Sequence, residues 1–321
     1  MNAYPLNLSG RLSRAIGFAA IVALHGASAA SGPAQAALSS PSLSRGEAVY
    51  SKSCAACHGE NGDGRSAAGQ YLNPRPRDFT AGMFKFRSTP SGELPTDADL
   101  LAIVEKGVPG TQMPAWGTTL TLQERLDVVA FLKTFSPDFK EGAPSPMEVP
   151  AVPESTPQAV KEGKLVYMLM ECWACHGGSG KGDGKSGKTL DDDWGRKILP
   201  WNLTAYRYKA GNDAGTLYRT FTTGLNGTPM PAYALDGFLI SGDATVDPVK
   251  YKEAYPAAEI DQLQAWLLTQ PTEAALQKMP AEQRNALGEK RKWALVHYIR
   301  SLIRKPNPFF ILFTKDTEVT P

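Results

Sequence analysis

Two short runs hold the residues best suited to chemistry, Cys54-Ala55-Ala56-Cys57-His58 and Cys172-Trp173-Ala174-Cys175-His176, and between them they contain all four cysteines of the chain. Cys-x-x-Cys-His is the attachment signature of a c-type haem. Two thiols add covalently to the porphyrin vinyl groups, two intervening residues on a helical turn set those thiols apart, and the adjacent imidazole falls beneath the ring as an iron ligand. Paired cysteines also suit zinc, a redox disulfide or a disulfide framework. A zinc site here would have to join pairs lying 115 residues apart, from Cys57 to Cys172, and would leave both histidines unexplained. The spacing therefore predicts two haem c groups, bound through Cys54, Cys57, Cys172 and Cys175, with His58 and His176 on the irons.

The sixth ligand decides whether such an iron passes electrons or binds substrate, because histidine with methionine is the low-spin, high-potential arrangement. Met113 stands 55 residues after His58 and Met230 stands 54 after His176. The decapeptide from Gly107 to Trp116 matches that from Gly224 to Tyr233 at six of ten positions, giving Gly-x-x-Gly-Thr-x-Met-Pro-Ala-aromatic twice. Glycine permits a tight backbone path there, and proline stiffens the loop behind the methionine. Met113 and Met230 are thus the expected axial partners, while the remaining methionines serve as packing. Of the other two histidines, His25 falls in the leader described below. His297 is read as structural or solvent-facing, its counterpart in the first half being Ala130.

Groups around the haem can be read less directly. A backbone carbonyl usually orients a proximal imidazole, and Pro76 and Pro200 are the expected acceptors, in the matching runs Pro76-Arg-Asp-Phe-Thr80 and Pro200-Trp-Asn-Leu-Thr204. Arg75, Arg77, Arg87, Trp201, Tyr206 and Arg207 are candidates for hydrogen bonds to haem carboxylates.

These residues need two helical modules to hold them. Each half reads as a leading helix running into the cysteine motif, a loop-rich middle, the methionine loop and a closing helix. Ser44 with Glu47 and Thr121 with Glu124 make capping-box patterns in the first half, and Thr156 followed by Pro157 starts the second leading helix. Leu165, Leu169 and Cys172 then recur at i, i+4 and i+7 along that helix. Gly46 precedes Cys54 by eight residues but Gly163 precedes Cys172 by nine, which predicts a one-residue insertion. Strand signal is poor, so the fold class expected is all-α. Its divisions are a module over 37–140, a proline-rich linker over 141–157, a second module over 158–308 and a tail over 309–321. The second module carries an insertion at about 236–280, in which 259–269 reads as helical and 281–303 as the closing helix; the insertion is expected to pack on its own module.

Residues 1–36 read as a secretory signal peptide, since Arg11 and Arg14 precede an apolar run from Ala15 to Leu24, with small-residue cleavage sites after Ala29 and Ala36. No later stretch approaches the roughly 20 apolar residues of a membrane span, and even the apolar tail Phe309-Phe310-Ile311-Leu312-Phe313 is only five. A formal net charge of +2 gives no nucleic-acid footprint. Residues 158–308 carry 20 basic and 16 acidic side chains against 11 and 11 over 41–140, a mild preference for acidic partners at the second haem.

With these motifs in view, the chain resembles the bacterial dihaem cytochromes c, two class I cytochrome c domains in tandem, over about Ser44 to Leu302 apart from the linker and the insertion. The resemblance implies leading and closing helices that cross beside each haem, and a periplasmic electron carrier served by redox protein partners. Two alternatives stand beside a free carrier. A dihaem cytochrome c peroxidase has similar length and motifs but needs an iron that opens a coordination site, against which the paired methionines speak. A tightly held subunit of a larger respiratory or molybdenum-enzyme complex would use the insertion and tail as interface.

Overall fold

Helix signals in the sequence account for most of the architecture of the computed structural model, which describes residues 38–141 and 145–304. The signal peptide and its cleavage sites, and the Phe309 to Phe313 tail, lie outside the described residues. Among those described, all regular elements are helical, and the sole β-pairing is an isolated antiparallel bridge between Asp191 and Lys197.

The first module holds α1 (Leu43–Ser53), α2 (Ala55–His58), α3 (Asp97–Lys106) and α4 (Leu122–Leu132). Thr121 and Glu124 form the expected capping box on α4, and Thr96 with Asp99 forms another on α3. The cap of α1 is not Ser44 but Ser42, whose hydroxyl accepts from Arg45 N–H; the helix starts one residue after it, so Ser44 is already within the first turn. Helices α1 and α4 cross where Gly46 leaves room, since a Cβ there would stand 2.1 Å from the Asp127 carbonyl oxygen. Tyr50, Phe79, Phe84, Leu100, Val104, Val128, Val129 and Leu132 fill the core between them.

The second module repeats this plan with α5 (Pro157–Leu169), α6 (Cys172–His176), α7 (Ala214–Thr223), α8 (Pro248–Tyr251), α9 (Ala257–Leu267), α10 (Glu273–Lys278) and the long closing helix α11 (Ala281–Leu302). Thr156 caps α5 with Pro157 at its first position. Gly163 takes the place of Gly46, a Cβ there lying 1.9 Å from the Ala294 carbonyl oxygen, so α5 and α11 cross as α1 and α4 do. The inserted residue is accommodated just ahead of the second cysteine motif: α5 stops at Leu169 and Glu171 turns into the left-handed region at φ 56° before α6 begins. The i, i+4, i+7 stripe therefore does not run through to Cys172 on one helix. Two side chains satisfy the carbonyl exposed by this break, as Trp173 Nε1 and Tyr251 Oη both donate to Met168 O at 3.1 Å.

The insertion packs on its own module. Tyr251 packs tilted and Tyr255 edge-on against Trp173, with centroids 5.3 and 6.0 Å away, and Ile260, Leu263 and Leu267 of α9 are buried in the shared core. From α11, the buried Arg291 guanidinium donates to Phe238 O, Ile240 O and Gln270 Oε1.

From Ser39 onward the chain forms one unit. Residues 145–156 of the proline-rich segment form no regular element, yet they strap the modules together, because Met147 N–H donates to Ser88 O at 2.8 Å while Met147 and Val149 pack on the second core. Arg87, only 6% exposed, reaches from the first module to the Thr223 carbonyl of the second at 2.6 Å.

Candidate functional site

In each module the cysteine motif is a short helix, entered directly from the leading helix in the first and after the left-handed turn at Glu171 in the second, and a helical turn places the two thiols and the imidazole on one stretch of backbone. Cys54 is the residue between α1 and α2, and Cys57 and His58 follow within α2; Cys172, Cys175 and His176 lie in α6. All four thiols are free and half-buried, without a disulfide. Burial pushes the Cys54 thiol up to about 11 and Cys172 up to about 12, with the neighbouring cysteine adding to the effect in both cases.

The imidazoles are held the same way in both modules. His58 Nδ1 lies 3.2 Å from Arg77 O and His176 Nδ1 lies 2.9 Å from Trp201 O. A carbonyl only accepts, so Nδ1 carries the proton and Nε2 is left unprotonated, with its lone pair available to an iron. Burial favours that neutral state by lowering the pKa of both rings. The acceptors are thus one residue beyond Pro76 and Pro200. Those proline carbonyls instead face Gly64 and Gly182, where a Cβ would meet them at 2.9 and 2.7 Å. Phe79 stacks on the His58 ring with centroids 4.5 Å apart.

Met113 and Met230 sit on loops of matching geometry. Val108 N–H donates to Met113 O and Leu225 N–H to Met230 O, both at 3.1 Å. Thr111 and Thr228 each accept from the methionine N–H and donate to the carbonyl that opens the loop. A buried cation on each closing helix pins the loop exit: Arg125 Nη1 donates to Gly117 O at 2.7 Å, and Lys292 Nζ donates to Tyr233 O at 3.2 Å. Neither cation was singled out from the sequence, although their shared register with the closing helix could have shown them. The same holds for Tyr50 and Tyr167, whose hydroxyls donate to Gly59 O and Gly177 O at 2.7 Å behind the histidines.

The carboxylate-contact candidates divide. Arg75, Tyr206 and Arg207 are exposed. Arg77 is partly buried, with its guanidinium 4.6 Å over the Trp194 ring. Arg87 and Trp201 each keep one buried donor, Nη1 and Nε1, with no partner among the described residues. His297 is 3% exposed on α11 and so is not solvent-facing; it lies beside Trp293, and burial lowers its pKa. Aligning Gly46 to Asp127 with Gly163 to Ala294 leaves Ala130 opposite it in the first module.

The donor set fits two haem c groups: paired free thiols, an imidazole whose outer nitrogen is already satisfied, and unpaired buried donors suited to carboxylates. No cluster of three or more His, Cys, Asp or Glu among the described residues is arranged to hold a bare metal ion, which disfavours the zinc alternative. No helix among them is long and apolar enough to cross a membrane.

Comparison with known proteins agrees module by module. Residues 41–132 match the family of cytochrome c oxidase, cbb3-type, subunit III, and residues 160–271 match the cytochrome c family. None of the curated proteins matches the chain. Among solved structures, a chain of the reducing HAO-like protein complex of Kuenenia stuttgartiensis is 33% identical with a TM-score of 0.63, the match covering 84% of this chain and 100% of that one.

Proposed function

The chain belongs to the dihaem cytochromes c, and from that premise we propose that it moves electrons one at a time in the periplasm through two six-coordinate haems, ligated by His58 with Met113 and by His176 with Met230. Covalently bound haem c supplies the redox chemistry, each iron cycling between ferric and ferrous states. The modules over 37–140 and 158–308 supply axial ligands, a low-dielectric surround and covalent anchorage through Cys54, Cys57, Cys172 and Cys175. The proposal is carried by the matched methionine loops. In both, the same threonine and backbone hydrogen bonds fix the methionine backbone, an arrangement suited to a permanent ligand rather than to a position that opens for peroxide.

The signal peptide pattern supports export, and no bond-making step at iron is needed for such a role. Of the two ways to deliver electrons, the likeness to a chain taken from a redox complex favours a subunit of a larger assembly over a free shuttle.

A spectroelectrochemical titration of the holoprotein tests the reading. Two haems per chain, low-spin in the ferric form, with two midpoint potentials are expected, and Met113→His or Met230→His should lower the potential of one haem while attachment persists, because imidazole donates more electron density than thioether. A stable high-spin ferric haem with peroxide turnover would overturn it in favour of a peroxidase.

A further inference from the structure

Each methionine loop rests on the segment that orients the other module's histidine. Gly110, in the first loop at φ 72°, lies against the Trp201 ring, where a Cβ would stand 2.7 Å from Cη2. Trp201 is the residue whose carbonyl accepts from His176. The second loop returns the contact. A Cβ on Gly227 would lie 2.6 Å from the Trp194 ring and 3.1 Å from Arg77 Nη1, and Arg77 is the residue whose carbonyl accepts from His58. Two modules of one chain thus meet through a reciprocal contact built from their haem-site segments.

Positive charge gathers at this boundary without an ion-paired carboxylate among the described residues. Arg77, Lys85 and Lys209 are each partly buried, and no carboxylate among the described residues lies within ion-pair distance of any of them. Lys209 Nζ stands 5.0 Å over the Trp201 ring, beside the unpartnered indole N–H of that tryptophan. Burial lowers Lys85 to about 8, with Arg77 and Lys209 near enough to push it further down. Asp192, which favours the charge on both Arg77 and Lys85, already accepts through Oδ1 from the backbone N–H groups of Trp194 and Arg196. Asp78 and Asp193 favour only Arg77, from beyond ion-pair range. Unpaired cations withdrawn from water are costly, so a boundary that collects three of them beside an empty-handed indole donor suits bound anions. Each haem carries two carboxylates.

Resting on the two-haem reading, we propose that Arg77, Lys85 and Lys209, with the Trp201 indole N–H, form one carboxylate-binding cluster shared by both haems across the module boundary. The cluster holds a haem from each side, ties the two potentials together and makes the boundary the route for the internal electron. In that step one iron goes from ferrous to ferric as the other goes from ferric to ferrous, and neither a proton nor a further reactant is consumed.

The test is a potentiometric titration of the holoprotein carrying Lys85→Gln, from the first module, or Lys209→Gln, from the second, with the haems told apart by the Met113→His and Met230→His variants. Removing a positive charge beside haem favours the ferric state, so each single substitution should lower both potentials, while Lys85→Arg and Lys209→Arg keep both near the parent values. A shift confined to the haem of the substituted module, or no shift, overturns the shared cluster. So does an equal shift in the arginine variants, which would trace the effect to packing. Absence of two low-spin haems in the parent protein would instead defeat the two-haem reading itself, before any lysine is changed.

Discussion

Around their histidines the two modules use the same backbone bonds: Gly64 N–H donates to His58 O and Gly182 N–H to His176 O, both at 2.8 Å, and Phe79 and Leu203 close the next turn at 2.7 Å. Away from the sites they part. In the first module the closing helix is tied down by Asp127, which accepts from Arg45 and from Ser42 N–H with its side chain only 1% exposed. The equivalent position in the second is Ala294, which offers no such anchor, and there an insertion carrying α8, α9 and α10 packs on the module and is gripped by Arg291 of the closing helix. The repeated chemistry constrains a short stretch of backbone tightly, whereas the helices behind it need only be held in place, and apolar cover or an ion pair between a buried carboxylate and a half-exposed arginine will serve.

That contrast can be broken most severely at the attachment sites. Cys172→Ser with Cys175→Ser should reduce the haem content from two to one per chain, while the first module keeps its low-spin spectrum, as pyridine haemochrome quantitation and ferric absorption would show. Loss of both haems would mean that the modules do not load independently.

Arg291→Met comes next. It leaves the Phe238 and Ile240 carbonyls without their buried donor, so the second module should lose about 3 kcal/mol, read as an earlier calorimetric transition in which the first module is unchanged. A single transition that moves as a whole would mean that the strap and boundary make the two modules unfold together.

Thr121→Ala and Thr156→Ala each remove a helix cap, from the closing helix of the first module and the leading helix of the second. Each should cost about 1 kcal/mol in denaturant unfolding. A larger loss for Thr156→Ala would show that the strap depends on where α5 begins.

The smallest difference is one of pH. The hydrogen bond from Arg45 is the main cause holding the Asp127 carboxyl below the ordinary carboxylate range, ahead of the contributions from Ser42 and Gln123. Its stabilisation is therefore complete above the unfolded value near about 4 and fades as pH falls through the lower folded value. Acid should weaken the first module through this pair, and Asp127→Asn should remove that part of the acid sensitivity. An unchanged pH profile in the variant would assign the loss to other carboxylates.

Much of this was legible in the sequence, and the reason is locality. Cys54, Cys57 and His58 are brought together by one turn of helix, as are Cys172, Cys175 and His176, so their spacing alone carries the chemistry. Thr121 and Thr156 cap helices through residues three positions away, and they read correctly; Ser44 failed because Ser42, equally suited, stands two residues earlier. The methionines were visible only because the motif occurs twice. Where sequence reasoning missed, a distant partner made the choice. Arg77 and Trp201 rather than Pro76 and Pro200 face the imidazoles because of how each middle loop closes over its histidine, 19 and 25 residues along the chain. His297, read as structural or solvent-facing, is buried on α11, so the packing of that helix decides between the two.

The sequence by itself determined that the chain carries two haem c groups, and the sites we propose for them follow from it too, since the thiols and imidazole of each motif lie within five consecutive residues. Tertiary structure alone decided that the modules meet through their methionine loops and that Arg77, Lys85 and Lys209 converge there. Those residues are far apart in the chain, and neither periodicity nor spacing records which distant surfaces exclude water together.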